Sequence, residues 1–492
     1  MTLPRDGRPA DAVLADLEAM RTEDAPVHGG RVLAYVYDAG VPGLPEAGRA
    51  ALASFGEVNA LDPTVFPSVG RIENGLVGWA LDLLNGPAGA CGLVTSGGTE
   101  SCVLAVLAAR ESWRRAGGAG QPVVLMPVTG HAAFAKAAHL LDMRLRTLPV
   151  DPVSMRVRVA DVSAALAEEG AVVALVVVSA PSYAHGVVDP VGEVASLAAA
   201  RGVPCHVDAC IGGLVLPYLR RLGRDVPAFD LSVPGVRSLS ADLHKYGYSP
   251  KGASLLLFSD AHYREGAFFA YSAWPGYPVV NTTLQSTKSA GPMAAAWTVA
   301  HVLGDDGMLA ANRRAIDATD RIVAAVKALP GLRVVGPPDS TLVAIAADGD
   351  EGAGGVDPFV LADRMRARHW FIQPQPACGD LPRTVHLTVQ PASLATVNEF
   401  IADMAEAAAA CAGQPWAKVD PGLMAALADL DPATLDAETV AGLLALAGLV
   451  GDGPPGLPAE SASVQALIEA TPPDVRDRLL VGFFSLLFTA DR

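Results

Sequence analysis

Lys245 is the lysine of this 492-residue chain that is best placed for covalent chemistry with an aldehyde. It lies in the stretch SADLHKYGYSPKGASLLLF, residues 240–258. The apolar runs VRSLS before it and ASLLLF after it predict neighbouring strands joined by a polar turn that contains glycine. A lone lysine is most often a solvated surface charge. The prediction that Lys245 reacts therefore depends on three other segments.

The first segment is LVTSGGTES, residues 93–101, which the apolar run CVLAVLAA follows. Glycines and hydroxyl side chains at the start of a helix offer a phosphate free N–H groups and the favourable end of the helix dipole. We therefore expect Ser96, Gly97, Gly98 and Thr99 to cradle a phosphate group.

The other two segments place an aspartate and a histidine near strand ends. In VPCHVDACIGG, residues 203–213, Asp208 closes a strand of a predicted parallel sheet. Ligands bind such sheets outside the carboxyl ends of the strands, so this carboxylate could reach a pyridine nitrogen and keep it protonated. In TGHAAFAKAAH, residues 129–139, His131 stands at a strand-to-helix junction, where it could stack on a cofactor ring or only cap the helix.

In this order along the chain, the glycine-rich loop, histidine, aspartate and lysine resemble the fold-type I enzymes that use pyridoxal 5′-phosphate (PLP). The resemblance narrows to the sphingosine-1-phosphate lyases, within the PLP-dependent group II decarboxylases. It is carried by TSGGTES, HAAFAKAA, SAPSYAHGVVDP, HVDACIGG and DLHKYGYSPKG, with NALDPTVFPS and CGLVTSGG upstream. It extends from about Arg31 to Ala290 and more weakly to Ala409.

The resemblance implies a cofactor role for several of these residues. Lys245 would carry PLP as a Schiff base, and Asp208 would be the partner of the pyridine nitrogen. His131 would stack on the ring and assist proton transfer. His244 would touch the cofactor phosphate, the alternative being a histidine packed in the core. No metal ligand is expected.

The resemblance also implies residues that act on the substrate. Tyr183 and Lys251 are favoured for proton transfer. The residues expected at the substrate are Asn59, Asp62, Tyr248 and Ser286.

Two departures from the resembled lyases concern the substrate. Asp62 stands where those lyases tend to have a histidine, and QSTKSAG, residues 285–291, stands where they have Gly-Ser-Arg-Pro-Gly. In the family these regions hold the substrate phosphate and complete the site from the neighbouring subunit. A carboxylate repels a phosphate dianion. The sequence thus predicts the cofactor more firmly than a phosphorylated substrate.

Apolar runs that alternate with helical patterns from residue 31 to about 300 predict an α/β fold with a large, mostly parallel sheet of the seven-stranded type. The runs LRVVG, STLVAIAA and TVHLTV, with helices around 357–368 and 393–412, predict a smaller α+β domain. The predicted units are a helical and extended N-terminal segment (1–58), a large PLP-binding domain (59–305), the small α+β domain (306–414) and a helical C-terminal extension (415–492). The amphipathic stretch DAVLADLEAMRTED is expected to wrap around a partner subunit.

The composition limits the possible binding partners of the protein and its possible cellular location. A net charge of −16 argues against nucleic acid and against anionic lipid, because both require basic patches. The longest apolar runs, 171–180 and 479–488, are about half the length of a spanning helix, so no membrane segment is expected. Six cysteines without metal spacing, and the lack of a secretory signal, predict the reducing cytoplasm.

These observations predict a cytoplasmic homodimer, with its active site at the subunit interface, that breaks a carbon–carbon bond at Cα of a small amino substrate. The first interpretation is an aldehyde-lyase that performs retro-aldol cleavage, and the second is an α-decarboxylase of a free amino acid. The fold does not choose between them. A third is a binding subunit that has lost catalysis, against which the intact Lys245, Asp208 and His131 count.

Overall fold

The structure is a computed structural model that describes residues 3–419, 422, 424, 427, 430–432, 435–446, 449 and 460–489. Within these residues, seven strands form one large sheet: β1 (Cys91–Thr95), β2 (Val123–Pro127), β3 (Arg144–Leu148), β4 (Val173–Ser179), β5 (Cys205–Asp208), β6 (Val236–Ala241) and β7 (Ser254–Phe258). Their spatial order is β3-β2-β4-β5-β6-β7-β1. The first four neighbouring pairs are parallel, whereas β7 runs antiparallel to both β6 and β1. The predicted mostly parallel seven-stranded sheet is confirmed.

Helices pack on both faces of this sheet. The helices up to the end of the sheet are α1 (Ala10–Ala19), α2 (Leu44–Ser54), α3 (Pro67–Leu83), α4 (Gly98–Arg115), α5 (Ala132–Leu140), α6 (Val159–Glu169), α7 (Val191–Ala199), α8 (Leu216–Arg221) and α9 (Ala261–Arg264). Alternate residues of β4 enter different cores, with Val176 and Val178 on the side of α6 and α7 and Leu175 and Val177 on the side of α4 and α5. A strand that is buried on both faces needs apolar side chains throughout, which is why VALVVVS has no alternation.

The register of the central strands brings their polar ends to one edge of the sheet. Ser179 at the end of β4 lies beside Asp208 at the end of β5, and Asp208 lies beside Ser240 in β6. Because β7 runs in the opposite direction, its first residue, Ser254, lies beside Thr95, the last residue of β1. The loops that follow β1, β5 and β6 therefore leave the sheet at the same edge.

Strands β8 (Phe269–Tyr271) and β9 (Val279–Asn281) follow the large sheet and form a separate antiparallel pair. A long helix then leads to the small domain. This helix, α10 (Gly291–Ala328), contains one non-helical residue, Gly304. Beyond it, four described strands pair antiparallel in the order β10-β11-β13-β12. They are β10 (Leu332–Val334), β11 (Leu342–Ala347), β12 (Gln373–Gln375) and β13 (Thr384–Thr388), and the helices α11 (Pro358–Arg366) and α12 (Ser393–Cys411) cover them.

One part of α10 packs in the core of the large domain and another part packs in the core of the small domain. Met308 and Ala311 pack in the core of the large domain, whereas Ile322 and Val326 pack in the core of the small domain. The predicted domain boundary between residues 305 and 306 lies next to Gly304. Further along the helix, its buried residues change from the core of the large domain to the core of the small domain. The three boundaries between the four predicted units remain predictions.

The two ends of the chain lie outside these cores. Val13, Leu14 and Leu17 of α1 are exposed. The tail contains the helices Ala437–Leu446, Ala462–Ala470 and Pro473–Leu487, and parts of the predicted C-terminal extension, including 450–459, lie outside the described residues. In the described part of the chain, no helix combines the length and the apolar character that crossing a membrane requires.

Candidate active site

A cavity of about 390 Å³ lies at the edge of the large sheet where these loops meet. Its walls include Lys245 and the other residues predicted to bind the cofactor. They are Ser96, Gly97, Gly98, Thr99, His131, Asp208 and His244, together with Tyr183. Segments that are far apart in the sequence thus meet in one place within a single chain.

Lys245 lies in the turn between β6 and β7. Its Nζ is 2.9 Å from Oδ2 of Asp242, whose other oxygen, Oδ1, accepts a hydrogen bond from Ser254 Oγ at 2.5 Å. Burial alone would raise the pKa of Asp242, but the charges of Lys245 and His244 outweigh burial and lower it. Burial opposes the charge on Lys245, yet Asp242 raises the lysine's pKa well above its usual value. Asp242 therefore holds the amine in place.

Asp242 was not singled out from the sequence. It stands three residues before the lysine in DLHK, a spacing that brings both side chains to the same side of a turn. That spacing was the available signal.

Asp208 is the last residue of β5 and is buried. Its Oδ1 accepts hydrogen bonds from the Cys210 N–H at 3.1 Å and from Ser240 Oγ at 3.3 Å. Ser240 also lies 3.4 Å from Nε2 of His206, and burial lowers the pKa of His206 to about 4. The neighbouring imidazole is therefore neutral near pH 7, and the fixed carboxylate can face a protonated ring nitrogen.

The glycine-rich loop is built for close approach. Helix α4 begins at Gly98, and the first N–H groups of a helix have no acceptor within the helix. A Cβ atom at Gly98 would lie 2.7 Å from Oδ2 of Asp242, so the backbone passes where a side chain would clash. Glu100, which the sequence did not single out, accepts the Ser96 N–H at 2.6 Å and the Leu284 N–H at 2.8 Å. Glu100 thereby links the glycine-rich loop to the segment that contains Leu284.

His131 and His244 both line the cavity. The Nδ1 atom of His131 accepts the Ala133 N–H at 3.1 Å, which caps α5. Because Nδ1 accepts this hydrogen bond, Nε2 is the ring nitrogen left to donate one. His244 accepts the Gly252 N–H on Nδ1 at 3.3 Å, and burial, as the largest cause, lowers its pKa.

Tyr183 reaches the cavity from the loop after β4. Its hydroxyl donates to Oε1 of Gln373 at 2.7 Å, and its ring stacks on His386 with centroids 4.2 Å apart. Burial raises the pKa of Tyr183 above its usual value, so the phenol keeps its proton.

Lys251 does not line this cavity but lies next to it. Its Nζ donates to the carbonyl oxygens of Tyr35 at 3.1 Å and His244 at 3.3 Å, and lies 4.7 Å from the ring centroid of Tyr37. Burial, and then the charge of Lys245, lower the pKa of Lys251 to about 8. Tyr35 and Tyr37 were missed, because nothing in their local sequence relates them to a lysine more than 200 residues away.

The expected substrate residues lie elsewhere in the single chain. Asp62 and Ser286 line a second cavity of about 570 Å³, and Asn59 pairs with Ser289 nearby. Tyr248 is buried in the core of the large domain and borders a third cavity of about 250 Å³, beside Lys251. None of these four candidates is among the described residues that line the Lys245 cavity.

The charged side chains that line the second cavity are already engaged by other groups of the protein. Asp62 accepts hydrogen bonds from the N–H and hydroxyl of Thr64 at 2.8 and 2.6 Å, and these lower its pKa. The buried Lys288 Nζ donates to Oε1 of Glu73 at 3.1 Å and to the Val94 carbonyl at 2.8 Å. A substrate phosphate would therefore not meet a free Lys288.

The residues of the Lys245 cavity fit PLP. They offer a lysine for its aldehyde, a buried carboxylate for its ring nitrogen, and a helix start where glycine allows close approach to its phosphate. This fold and this site define a PLP-binding protein of fold type I.

Two family models match the chain. The "Pyridoxal-dependent decarboxylase conserved domain" matches residues 50–346, more than half of the chain. The "Pyridoxal-dependent enzyme, C-terminal putative HTH domain" matches residues 421–486, the part to which the sequence resemblance did not extend.

Known proteins are also similar to this chain. The sphingosine-1-phosphate lyase of Dictyostelium discoideum is 34% identical over 72% of this chain and 64% of that protein. Sphingosine-1-phosphate lyase 1 of Rattus norvegicus is 31% identical over 89% of this chain and 75% of that protein. The solved structure of the Burkholderia pseudomallei sphingosine-1-phosphate lyase superposes with a TM-score of 0.78 at 34% identity and covers 84% of this chain and 93% of its own.

The chain therefore belongs to the pyridoxal-dependent decarboxylase family, as a member similar to the sphingosine-1-phosphate lyases. PLP is the cofactor of this family, as predicted. The chain spans less than two thirds, 64%, of the length of the Dictyostelium relative.

Proposed function

We propose that the protein is a PLP-dependent lyase that breaks a carbon–carbon bond at Cα of a small amino substrate. The observation that carries the proposal is the single cavity in which Lys245, Asp208, His131 and the glycine-rich loop meet. Relatives that are named sphingosine-1-phosphate lyases favour retro-aldol cleavage to an aldehyde. The description of the family model favours the alternative, α-decarboxylation of a free amino acid.

The residues of the cavity that were predicted to bind the cofactor have distinct roles in this proposal. When bound, PLP supplies an electron sink for the charge that bond cleavage leaves on Cα. Lys245 would hold the cofactor aldehyde covalently, and Asp242 orients the lysine amine. Asp208 would keep a proton on the ring nitrogen, because a fixed buried carboxylate favours a cation beside it. His131 would stack on the ring, and His244, whose ring lies near Gly97, would touch the cofactor phosphate.

Lys251 and Tyr183 move the protons of the proposed cleavage. With a pKa of about 8, a sizeable fraction of Lys251 is the free amine in mildly alkaline solution and can take the proton of a β-hydroxyl group. The Cα–Cβ bond then breaks, and the β-carbon leaves as an aldehyde. Tyr183, whose burial keeps its hydroxyl protonated, donates the proton that replaces the lost bond at Cα.

The proposal includes a homodimer with the active site at the subunit interface. Asp62 and Ser286 line a cavity separate from the Lys245 cavity in the same chain. Tyr277 and Leu284, near that second cavity, are exposed. A second copy that covers this surface would bring substrate residues of one subunit towards Lys245 of the other.

A cytoplasmic location is part of the same proposal. All six cysteines are unpaired in the structure, and four of them are buried. Unpaired cysteines are typical of proteins in a reducing compartment.

The test incubates the full-length protein and PLP with a panel of phosphorylated amino alcohols and free amino acids, and measures aldehyde and CO₂. We expect aldehyde from β-hydroxy amines and none from Lys245→Ala. Release of CO₂ alone would select the decarboxylase, and neither product from a protein with bound PLP would overturn the proposal. Light scattering of the same sample tests the dimer, since a monomer would contradict an interface site.

A further inference from the structure

The small domain holds Tyr183 in two ways. Oε1 of Gln373 accepts the tyrosine hydroxyl at 2.7 Å. The ring of His386 stacks on the tyrosine ring, with planes 25° apart. Gln373 in β12 and His386 in β13 are direct cross-strand partners. One pair of strands therefore sets both the direction of the hydroxyl and the plane of the ring.

We propose that Gln373 and His386 are positioning residues for Tyr183, and that the C-terminal tail supports them by holding strand β12 in place. The proposal rests on the proposed function, in which Tyr183 is the proton donor. Neither Gln373 nor His386 is among the described residues that line the Lys245 cavity, so both act through the tyrosine.

Burial raises the pKa of Tyr183, and the two contacts that orient its side chain are compatible with a neutral phenol. The carbonyl oxygen of an amide only accepts hydrogen bonds, so Gln373 favours the protonated phenol over the phenolate. His386 is buried and its Nε2 lies 2.9 Å from Oγ1 of Thr388. Burial lowers the pKa of His386 to about 3, so the ring that supports Tyr183 carries no charge near neutral pH.

Strand β12 needs support because it is an edge strand of three residues, with β13 as its neighbour in the sheet. On one side, Nε2 of Gln375 donates to the carbonyl of Ala184, the residue after Tyr183, at 3.1 Å. On the other side, Oε2 of Glu469 in the Ala462–Ala470 helix accepts the Ala377 N–H at 2.8 Å. Oε1 of Glu469 accepts a hydrogen bond from Arg383, at the start of β13. Glu469 thus holds both ends of the β12–β13 connection.

The tail helix is itself fixed to the small domain. Asp363 of α11 accepts the N–H groups of Ser461 at 2.9 Å and Ala462 at 2.8 Å. These are among the first N–H groups of the helix, which have no partner within it. Continuous contacts therefore lead from Asp363 through the tail helix and β12 to the Tyr183 hydroxyl, which gives the tail a role in the large domain's site.

The first experiment reads the position of Tyr183 without relying on turnover. The full-length protein with bound PLP is labelled with 3-fluorotyrosine, and Tyr183→Phe identifies the Tyr183 signal in the fluorine NMR spectrum. Gln373→Leu should shift this signal and lower kcat by roughly tenfold to a hundredfold, as small misplacements of catalytic groups do. KM and PLP affinity should stay within about twofold, because the lost interaction acts in the transition state.

The control for this change is Gln414→Leu, the same substitution at an exposed glutamine, which should leave both the signal and kcat unchanged. His386→Leu, which removes the stacked ring, is a second variant and should also shift the Tyr183 signal. An unshifted signal in folded Gln373→Leu and His386→Leu would overturn the positioning role. A shifted signal in a protein that cleaves no carbon–carbon bond would support the positioning role and contradict the proposed function.

The second experiment tests the tail. Glu469→Gln should shift the Tyr183 signal in the same direction as Gln373→Leu and lower kcat by roughly threefold to tenfold, whereas Glu460→Gln, at an exposed position, should not. If Glu469 acts through Gln373, the double variant should be no slower than Gln373→Leu alone, because coupled residues are not additive. Fully additive losses would overturn the part assigned to the tail.

Discussion

The Lys245 cavity and the Asp62 cavity differ in how far one chain completes them. In the first, the functional side chains hold one another, as Asp242 holds Lys245 and Ser240 holds Asp208. In the second, Asp62 is exposed and bonded to its own turn through Thr64. A single chain therefore brings the residues of the Lys245 cavity together, whereas the residues expected at the substrate lie apart from it. Four changes test this difference.

The largest effect is expected at Lys245. Lys245→Ala removes the amine that holds the cofactor aldehyde, so turnover should fall below detection. Borohydride reduction of the wild-type protein followed by peptide mapping should place the pyridoxyl group on Lys245. A label on Lys251 or Lys288 instead would contradict the assignment of the first cavity.

The second largest effect is expected for Asp208→Asn. This change should lower kcat by roughly 10²- to 10⁴-fold, which is typical for removal of a group that stabilises developing charge. An amide cannot keep the ring nitrogen protonated as a carboxylate does, although it can keep the contact with the Cys210 N–H. PLP binding, measured by absorbance, should survive the change. Near wild-type kcat would mean that another residue faces the ring nitrogen.

Lys251, which borders the third cavity, should give the reaction a pH dependence. The amine loses its proton as the pH rises through its pKa of about 8, so kcat should increase across that pH and level off above it if the free amine is the base. Lys251→Met should lower the maximum kcat by roughly 10²-fold and remove most of the increase of kcat with pH. If kcat of Lys251→Met still increased with pH in the same way, a different group would be the one that titrates.

The smallest effect is expected at Asp62, in the second cavity. Because the carboxylate is exposed, solvent and salt screen its repulsion of a substrate phosphate. Asp62→Asn, which keeps an oxygen for the Thr64 contacts, should lower KM for phosphorylated amino alcohols by roughly twofold to fivefold at low salt, and Asp62→His should lower it further. Unphosphorylated substrates are the control, and an equal change for both classes would show that no phosphate lies near Asp62.

The sequence was most informative where a pattern is local. The apolar run at 171–180 and the glycine-rich loop before α4 each contain their own signal. Strand β4 lies within the run, and α4 begins at the loop. Strand β12 was not predicted, because its sequence QPQ is polar and its proline cannot donate to a neighbouring strand. Such a segment is a strand here because it pairs with β13.

Contacts between distant residues could not be predicted from spacing. Gln373 meets Tyr183 across 190 positions, and Lys251 meets Tyr35 across 216. The resemblance supplied Asp62 and Ser286, which do share a cavity, but it could not show that this cavity is separate from Lys245 in one chain. Tertiary structure alone brings such pairs together or keeps them apart.

Helix α10 has a consequence for the cooperativity of unfolding. Its Met308 and Ala311 are buried in one core, and its Ile322 and Val326, only a few turns later, are buried in the other. Releasing the small domain would uncover one end of a helix whose other end is still packed, and the exposed turns would fray towards the large core. Neither domain can lose its structure without weakening the other, so the two should melt in a single transition, although they are built from two sheets.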